Sequence, residues 1–274
     1  MKKLTKTHRL LLVVVAVIII VTSVVACCTK TKNSNDTTTE PTTNKVSSTQ
    51  TTATESTTDI PTTTQKETAV VAPEQPEELL SSLQSAGYSL QKLNDLGCRQ
   101  LIIVKGNGNT GKMTFYQSNK NIWSEVDGTN CSVYVGKNGM TSSKTEGDGC
   151  TPRGLYSIGS AFYKENSPKT AISTFKITED SYWVDDPESV FYNKYVEGTE
   201  KKDWSSAEHM MDYPGYKYGF TVNYNTKCEA GKGSAIFVHV GYNPTAGCVA
   251  TNEENIIKYL SLLDKNAQPY ILFI

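Results

Sequence analysis

Two side chains in this 274-residue chain have the types and spacing for nucleophilic chemistry. His239 stands near the end of an apolar run, Ser234–Val240, that reads as a buried β-strand. Gly241-Tyr242-Asn243-Pro244 is rich in turn-formers, and Thr245-Ala246-Gly247-Cys248 follows it. The spacing predicts a histidine and a cysteine on adjacent limbs of one tight turn. At roughly 3 Å an imidazole can take the thiol proton, and a thiolate near neutral pH is then a competent nucleophile. The reading therefore expects Cys248 to be the one fast-reacting thiol, its pKa depressed mainly by His239. Gly247 would let the backbone approach a substrate closely. Amides around Gly247 and Cys248 are candidate oxyanion donors. On residue types alone, a buried cysteine is usually a small hydrophobe and a lone histidine a satisfied core or surface group. The Gly-Cys loop and the apolar strand carrying His239 favour the chemical reading.

Other residues carry weaker chemical signals. Asp185 and Asp186 form a carboxylate pair, but Pro187 follows at once, which favours a turn. Trp183 and Trp204 suit either the core or a cleft lining. Tyr218 and Tyr224 flank the strand before the His/Cys segment and fit the core or a rim. A metal site is a poor expectation: the chain has no Cys-x-x-Cys and no His-Glu-x-x-His, and only His209 and His239 follow His8.

The elements that must hold these residues are short and β-rich. Runs such as LIIV, MTFYQ, CSVYVG, GLYSIGSAFY, YGFTVNYN, SAIFVHV and YILFI begin at Leu101, punctuated by Gly, Asn and Asp clusters. They predict a mainly β, sandwich-like domain over residues 98–274, large enough for a good core. One helix is predicted near its end, capped by Thr251 or Asn252, with Ile256, Ile257, Leu260 and Leu263 facing the core. Its positive end would modestly favour a thiolate at Cys248. Residues 76–97 predict a short helical stem. Pro76, Glu77 and Glu78 form its first turn, and Leu79, Leu80 and Leu83 its first apolar stripe. Leu90 and Leu93 make a second stripe, and Gly87 divides two short helices.

The N-terminus reads as an export leader. Lys2, Lys3, Lys6 and Arg9 precede an apolar run from Leu10 to Val21, and the segment closes at Ala26. Residues 1–26 are thus assigned to a signal peptide or membrane anchor. Val-Val-Ala-Cys resembles a bacterial lipobox, which makes Cys27 the expected lipidation site; an uncleaved signal anchor is the rival. The Thr-rich remainder of residues 27–75 cannot bury a core and reads as a disordered linker. As a random coil it would span on the order of 40 Å. Both readings place the rest of the chain at the extracytoplasmic face of a membrane.

Removing residues 1–26 takes away four of the 27 basic residues and leaves 28 acidic ones, a net charge of about −5. No basic stripe appears, so nucleic acid is not an expected partner. Beyond Cys27 and Cys28 the cysteines are Cys98, Cys131, Cys150, Cys228 and Cys248. Export permits disulfides, and four of the five could pair in three ways, leaving Cys248 free.

The segment HVGYNPTAGCVAT resembles the catalytic motif of the L,D-transpeptidase (YkuD-like) family, a histidine followed by Ser or Thr, any residue, and Gly-Cys. It is most similar to the branch ending Thr-Ala-Gly-Cys-Val-Ala. The resemblance runs over roughly residues 98 to 274 and includes Glu146-Gly147-Asp148-Gly149, Trp183-Val184-Asp185-Asp186-Pro187, Tyr192-Asn193, Trp204-Ser205-Ser206-Ala207-Glu208-His209 and Tyr224-Asn225. It implies a sandwich-like catalytic domain, Cys248 as nucleophile and His239 as base, with no cofactor. It also implies a substrate-side role for Thr245, which holds the Ser/Thr position, and for His209. The implied reaction is 3→3 cross-linking of peptidoglycan stems through a thioester, on donor and acceptor stem peptides. L,D-carboxypeptidase trimming, or wall binding without catalysis on the same fold, are the alternatives. The chain departs from many family members in a shorter His-to-Cys loop. Val240 stands where many have Gly, and Ala250 where many have Arg or Asn.

Overall fold

The computed structural model describes residues 74–274. The leader, Cys27 and the linker up to residue 73 lie outside the described residues. Helices α1 (Glu77–Ser85) and α2 (Leu90–Asp95) come first. Pro76 is the N-cap of α1 and Glu77 and Glu78 fill its first turn, where carboxylates suit the positive helix end. The Ser89 side chain caps α2 by accepting the Lys92 amide. Gly87, at φ +75°, makes the left-handed link between the helices. Leu79, Leu83 and Leu93 are buried. Leu80 is 41% exposed, because one residue step rotates it about 100° away from the Leu79/Leu83 stripe.

The strands are β1 (Gln100–Asn107), β2 (Thr110–Asn119), β3 (Ile122–Glu125), β4 (Cys131–Tyr134), β5 (Met140–Thr141), β6 (Thr151–Pro152), β7 (Gly154–Tyr163) and β8 (Thr174–Lys176). A separate small sheet follows, built from β9 (Ser181–Val184), β10 (Tyr195–Glu197) and β11 (Ala207–His209) in the order β10-β9-β11. The chain closes with β12 (Tyr218–Val222), β13 (Phe237–Val240), β14 (Val249–Thr251), helix α3 (Glu253–Leu262) and β15 (Pro269–Phe273).

The main sheet runs β1-β15-β7-β12-β13-β14-β4-β2-β3, with β8 beside β7. Because β1 also pairs with β2, the ladder returns on itself. Alternation along each strand divides the apolar side chains between two cores. Ile102, Val104, Ile271 and Phe273 enter the principal core with Phe115, Phe220 and Val238. Their neighbours Leu101, Ile103 and Leu272 face the other way and meet Leu79, Leu83 and Leu93 of the helices. The helices therefore cover one face of the sheet.

The C-terminal helix α3 is capped by Asn252, whose side chain accepts the Asn255 amide at 2.9 Å. Ile256, Tyr259, Leu260 and Leu263 are buried. Ile257, expected with them, is 42% exposed, since positions 256, 259, 260 and 263 already complete the stripe and Tyr259 takes the place assigned to it.

The segment carrying His239 and Cys248 differs from the tight turn expected. β13 and β14 are parallel, with Val238 opposite Val249 and His239 opposite Ala250. Residues 241–248 carry the chain back to the level where β13 began. They are pinned on the way: the Thr245 amide donates to the Val135 carbonyl at 2.9 Å, and the Lys137 amide to the Thr245 carbonyl at 2.8 Å.

Candidate active site

The parallel register decides where the two reactive side chains point. Extending it by one residue sets Cys248 beside Phe237, one two-residue step before the His239/Ala250 level. Phe237 and His239 share a face of β13, and Cys248 and Ala250 share the matching face of β14. The histidine and cysteine thus project to the same side, one pleat apart. Both line a cavity of about 280 Å³, together with Glu208, Tyr213, Tyr216 and Thr245.

Below the cavity the thiol sits in a third apolar cluster with Phe162, Met210, Tyr216, Ala235 and Phe237. Its Sγ donates to the Ala235 carbonyl at 3.2 Å and accepts the Phe237 amide at 3.3 Å. Burial pushes the Cys248 pKa well up, and the charge of Glu208 adds to this. The Phe237 amide, the Lys144 ammonium and the Tyr216 hydroxyl pull the other way without reversing it. The resting group is a protonated thiol, not the depressed one expected from the sequence. The physical reason is desolvation of the buried sulfur, with the Glu208 carboxylate adding to it.

His239 is held from its own strand. Nδ1 lies 2.8 Å from the Val240 carbonyl, which can only accept, so Nδ1 carries the proton and Nε2 keeps its lone pair. Desolvation lowers the pKa of the buried ring, and the Val240 bond offsets part of that. The ring packs edge-on against Tyr216, with centroids 5.1 Å apart. Tyr216 comes from a 3-10 turn, Pro214–Lys217, whose Gly215 passes directly over His239. A Cβ there would lie 2.3 Å from the Val240 carbonyl oxygen and 3.0 Å from His239 Nδ1.

Thr245 and Gly247 are committed to the loop itself. The Thr245 hydroxyl donates to the Cys248 carbonyl at 2.6 Å and accepts the Gly247 amide at 3.1 Å. The Gly247 amide is therefore spent, and the Cys248 amide, for which no acceptor is found among the described residues, is the one left for an oxyanion. Packing at 247 is tight: a Cβ would meet the Cys150 carbonyl oxygen at 3.1 Å and Ile236 at 3.2 Å.

His209 is placed away from the cavity. On β11, Glu208 pairs with Trp183 and His209 with Tyr182. Trp183 faces Phe237 at 4.9 Å between ring centroids, so Glu208 on the same face also turns toward the site. His209 turns to the opposite face, stacks on Tyr182, and is bound by the Glu179 carbonyl at 2.7 Å and Asp212 at 3.0 Å. Those two bonds raise its pKa. Glu208 is the residue that the sequence reading missed. The signal was strand alternation in Ala207-Glu208-His209, usable only once the partner of β11 is known.

The carboxylate of Glu208 accepts the Tyr216 hydroxyl through Oε2. Burial lifts its pKa to about 7, with the charges of Asp185 and Glu146 adding to the shift and the Tyr216 bond opposing it. Asp185 is itself pushed up by burial, and its Oδ1 is buried without a partner. Asp186 has the turn role expected: it accepts the Glu188 and Ser205 amides and the Ser205 hydroxyl. Among the described residues, no three His, Cys, Asp or Glu side chains are grouped to hold a metal ion. The cysteines Cys98, Cys131, Cys150, Cys228 and Cys248 are all free thiols.

Among solved structures, the chain is similar to the helical cell shape determining protein Pgp2 from Campylobacter jejuni, at 14% identity and a TM-score of 0.35, over 64% of this chain and 47% of that one. A point mutant of the same protein is similar at 14% identity and a TM-score of 0.34, over 70% of this chain and 55% of that one. The chain thus spans about half the length of those structures. No curated protein matches it. Residues 100–271 match the L,D-transpeptidase catalytic domain family (YkuD), and it is to this family that the chain belongs.

Proposed function

We propose that the chain is a cysteine-dependent L,D-transpeptidase that joins peptidoglycan stem peptides by 3→3 cross-links. The observation that carries this is the pair Cys248 and His239 on one face of adjacent parallel strands, opening into one cavity. In this reading a donor stem docks with its third-residue carbonyl carbon over Cys248. Substrate displaces the Ala235 carbonyl from the thiol, and the proton passes to His239 Nε2, which the Val240 bond keeps free. The sulfur attacks, and the oxyanion takes the Cys248 amide. His239 returns its proton to the departing D-alanine, leaving a thioester. An amine from a second stem then replaces the sulfur.

The domain limits proposed are 76–97 for the helical stem and 98–274 for a sandwich-like catalytic body. Residues 1–26 would serve as leader or anchor and 27–75 as the spacer, with Cys27 lipidated. This would hold the enzyme at the extracytoplasmic face of the cell membrane, within reach of the wall.

The test is to incubate the full-length chain with a stem tetrapeptide and read intact mass. A tripeptidyl adduct on Cys248, followed by dimer, supports the reading. Tripeptide alone at saturating acceptor would make the chain an L,D-carboxypeptidase. No adduct, with Cys248→Ala indistinguishable from wild type, would leave wall binding without catalysis.

A further inference from the structure

Every side chain that lines the cavity is aromatic, small or uncharged except Glu208. Once D-alanine has left with its carboxylate, the cavity beside the acylated sulfur has Glu208 as its one charged side chain. It suits a cation. The mouth adds to this: Tyr213 and Tyr242 line the cavity and are 44% and 64% exposed. Tyr213 stacks on Tyr216, with centroids 5.0 Å apart. Exposed aromatic faces beside a carboxylate are the setting in which an alkylammonium is held by charge and cation–π attraction together.

We infer that Glu208 is the general base for the acceptor: the attacking stem enters as an ammonium between Tyr213 and Tyr242 and gives its proton to Glu208. The inference rests on the transpeptidase reading. The oxygen that would do this is identified. Oε2 takes the Tyr216 hydroxyl, while Oε1 receives no hydrogen bond among the described residues. A base is most effective when its proton affinity matches the working pH, and burial lifts the Glu208 pKa to about 7. Burial supplies most of that affinity and the charges of Asp185 and Glu146 add to it, with Glu146 fixed by the hydroxyls of Tyr192 and Ser234.

Glu208 takes one proton from the ammonium and leaves a neutral amine. The nitrogen lone pair forms the C–N bond to the thioester carbonyl carbon, and the C–S bond breaks on collapse. A second nitrogen proton passes to His239 and on to the leaving Cys248 thiolate, restoring the thiol. Glu208 then releases its proton to solvent. No oxidant, metal or further reactant is needed.

The test uses the full-length chain, a stem tetrapeptide as donor and two acceptor probes, Nα-acetyl-lysinamide and glycinamide. Their amines titrate near about 10.4 and about 8. Amide adduct, tripeptide and acyl-enzyme are counted by mass from pH 5.5 to 9. The groups facing Glu208 are Tyr216, Tyr213, Asp185, Glu146 and Cys248. With wild type, adduct formation should rise through pH about 7 for both acceptors, the value of Glu208. A limb that follows each acceptor's own titration overturns the inference and needs no variant. With Glu208→Gln, acyl-enzyme should form at least as fast as in wild type, because the carboxylate that raises the Cys248 pKa is gone, while the adduct-to-tripeptide ratio at pH 7 falls at least about tenfold. Glu208→Asp should restore part of it. An unchanged ratio, or acylation and aminolysis falling together, overturns the inference. Wild type that never acylates refutes the transpeptidase reading itself, and this one with it.

Discussion

The Cys248 thiol donates to the Ala235 carbonyl, 3.2 Å away, while the His239 imidazole stands one pleat further along the neighbouring strand. The nucleophile is stored as a neutral thiol and not as a preformed ion pair. A buried thiolate would face the cost of desolvation and the nearby carboxylate of Glu208.

Alkylation of the resting enzyme should therefore pass over Cys248. Cys150 and Cys228 are partly exposed, whereas Cys248 is 6% exposed with a raised pKa. Iodoacetamide at pH 7, followed by peptide mapping, should modify the first two well before the third. Preferential labelling of Cys248 in the absence of substrate would show that a thiolate is present at rest.

Acylation should lose rate on acidification only below pH about 6.5, the ordinary histidine value. Burial depresses the His239 pKa, so the neutral base persists through the physiological range. The same shift sets a stability sign. The folded pKa lies below the unfolded one, so the contribution is complete above about 6.5 and is lost as pH falls through the folded value. His239→Gln should lower the acylation rate about 10²–10⁴-fold and remove that acid limb. A limb that survives in the variant would assign it elsewhere.

How much of this was legible beforehand follows from the kind of information each feature needs. The apolar run Ser234–Val240 announced a buried strand because such a run is local, though the strand itself is Phe237–Val240 and Ala235 lies at φ +52°; the cap expected at Thr251 or Asn252 was legible for the same reason and falls on Asn252. The strand pairing was not legible, since loop length alone does not say whether residues 241–248 reverse the chain or return it to the start of β13. That single difference moves His239 from beside Cys248 to beside Ala250. The position of Glu208 in the cavity was hidden for a related reason. Adjacent strand residues face opposite ways, and only the pairing of Glu208 with Trp183 shows which one enters the site.

Gly215→Ala should damage the site while sparing the fold. The new methyl would lie 2.3 Å from the Val240 carbonyl oxygen, the group that fixes the His239 tautomer. Either the turn lifts or that carbonyl moves, and a displacement near 1 Å can cost about 10²-fold in rate. Acylation kinetics beside a melting curve would separate the two effects. A large loss of Tm would mean that Gly215 serves packing first.

Glu208→Gln should stabilise the protein above neutral pH. The folded carboxyl holds its proton to about pH 7, whereas the unfolded one releases it near about 4.3. Its favourable contribution is thus full below the unfolded value and is lost as pH rises through about 7. Glutamine removes that charge, so Tm at pH 8 should rise by roughly 2–5 °C and Tm at pH 4 should stay unchanged. An equal shift at both pH values would point to packing rather than ionisation.

Asn193 offers the strictest test of how the thiol is positioned. Its Oδ1 accepts the Ala235 amide and the Trp183 indole N–H, both at 3.1 Å. Its Nδ2 donates to the Tyr224 and Asn225 carbonyls at 2.9 and 3.0 Å. Ala235 needs the clamp because it is held at φ +52°, where an L-residue with a Cβ is strained. The carbonyl of Ala235 in turn receives the Cys248 proton. Asn193→Ala removes four bonds to partly buried groups, which should cost about 2–4 kcal/mol. It should also free Ala235 to relax toward negative φ and turn its carbonyl away from the sulfur. Ala235→Gly keeps the clamp and relieves the strain, so it should hold or raise Tm with the thiol still masked. If Asn193→Ala leaves the resting Cys248 as slow toward iodoacetamide as in wild type, the Ala235 carbonyl is not what masks it.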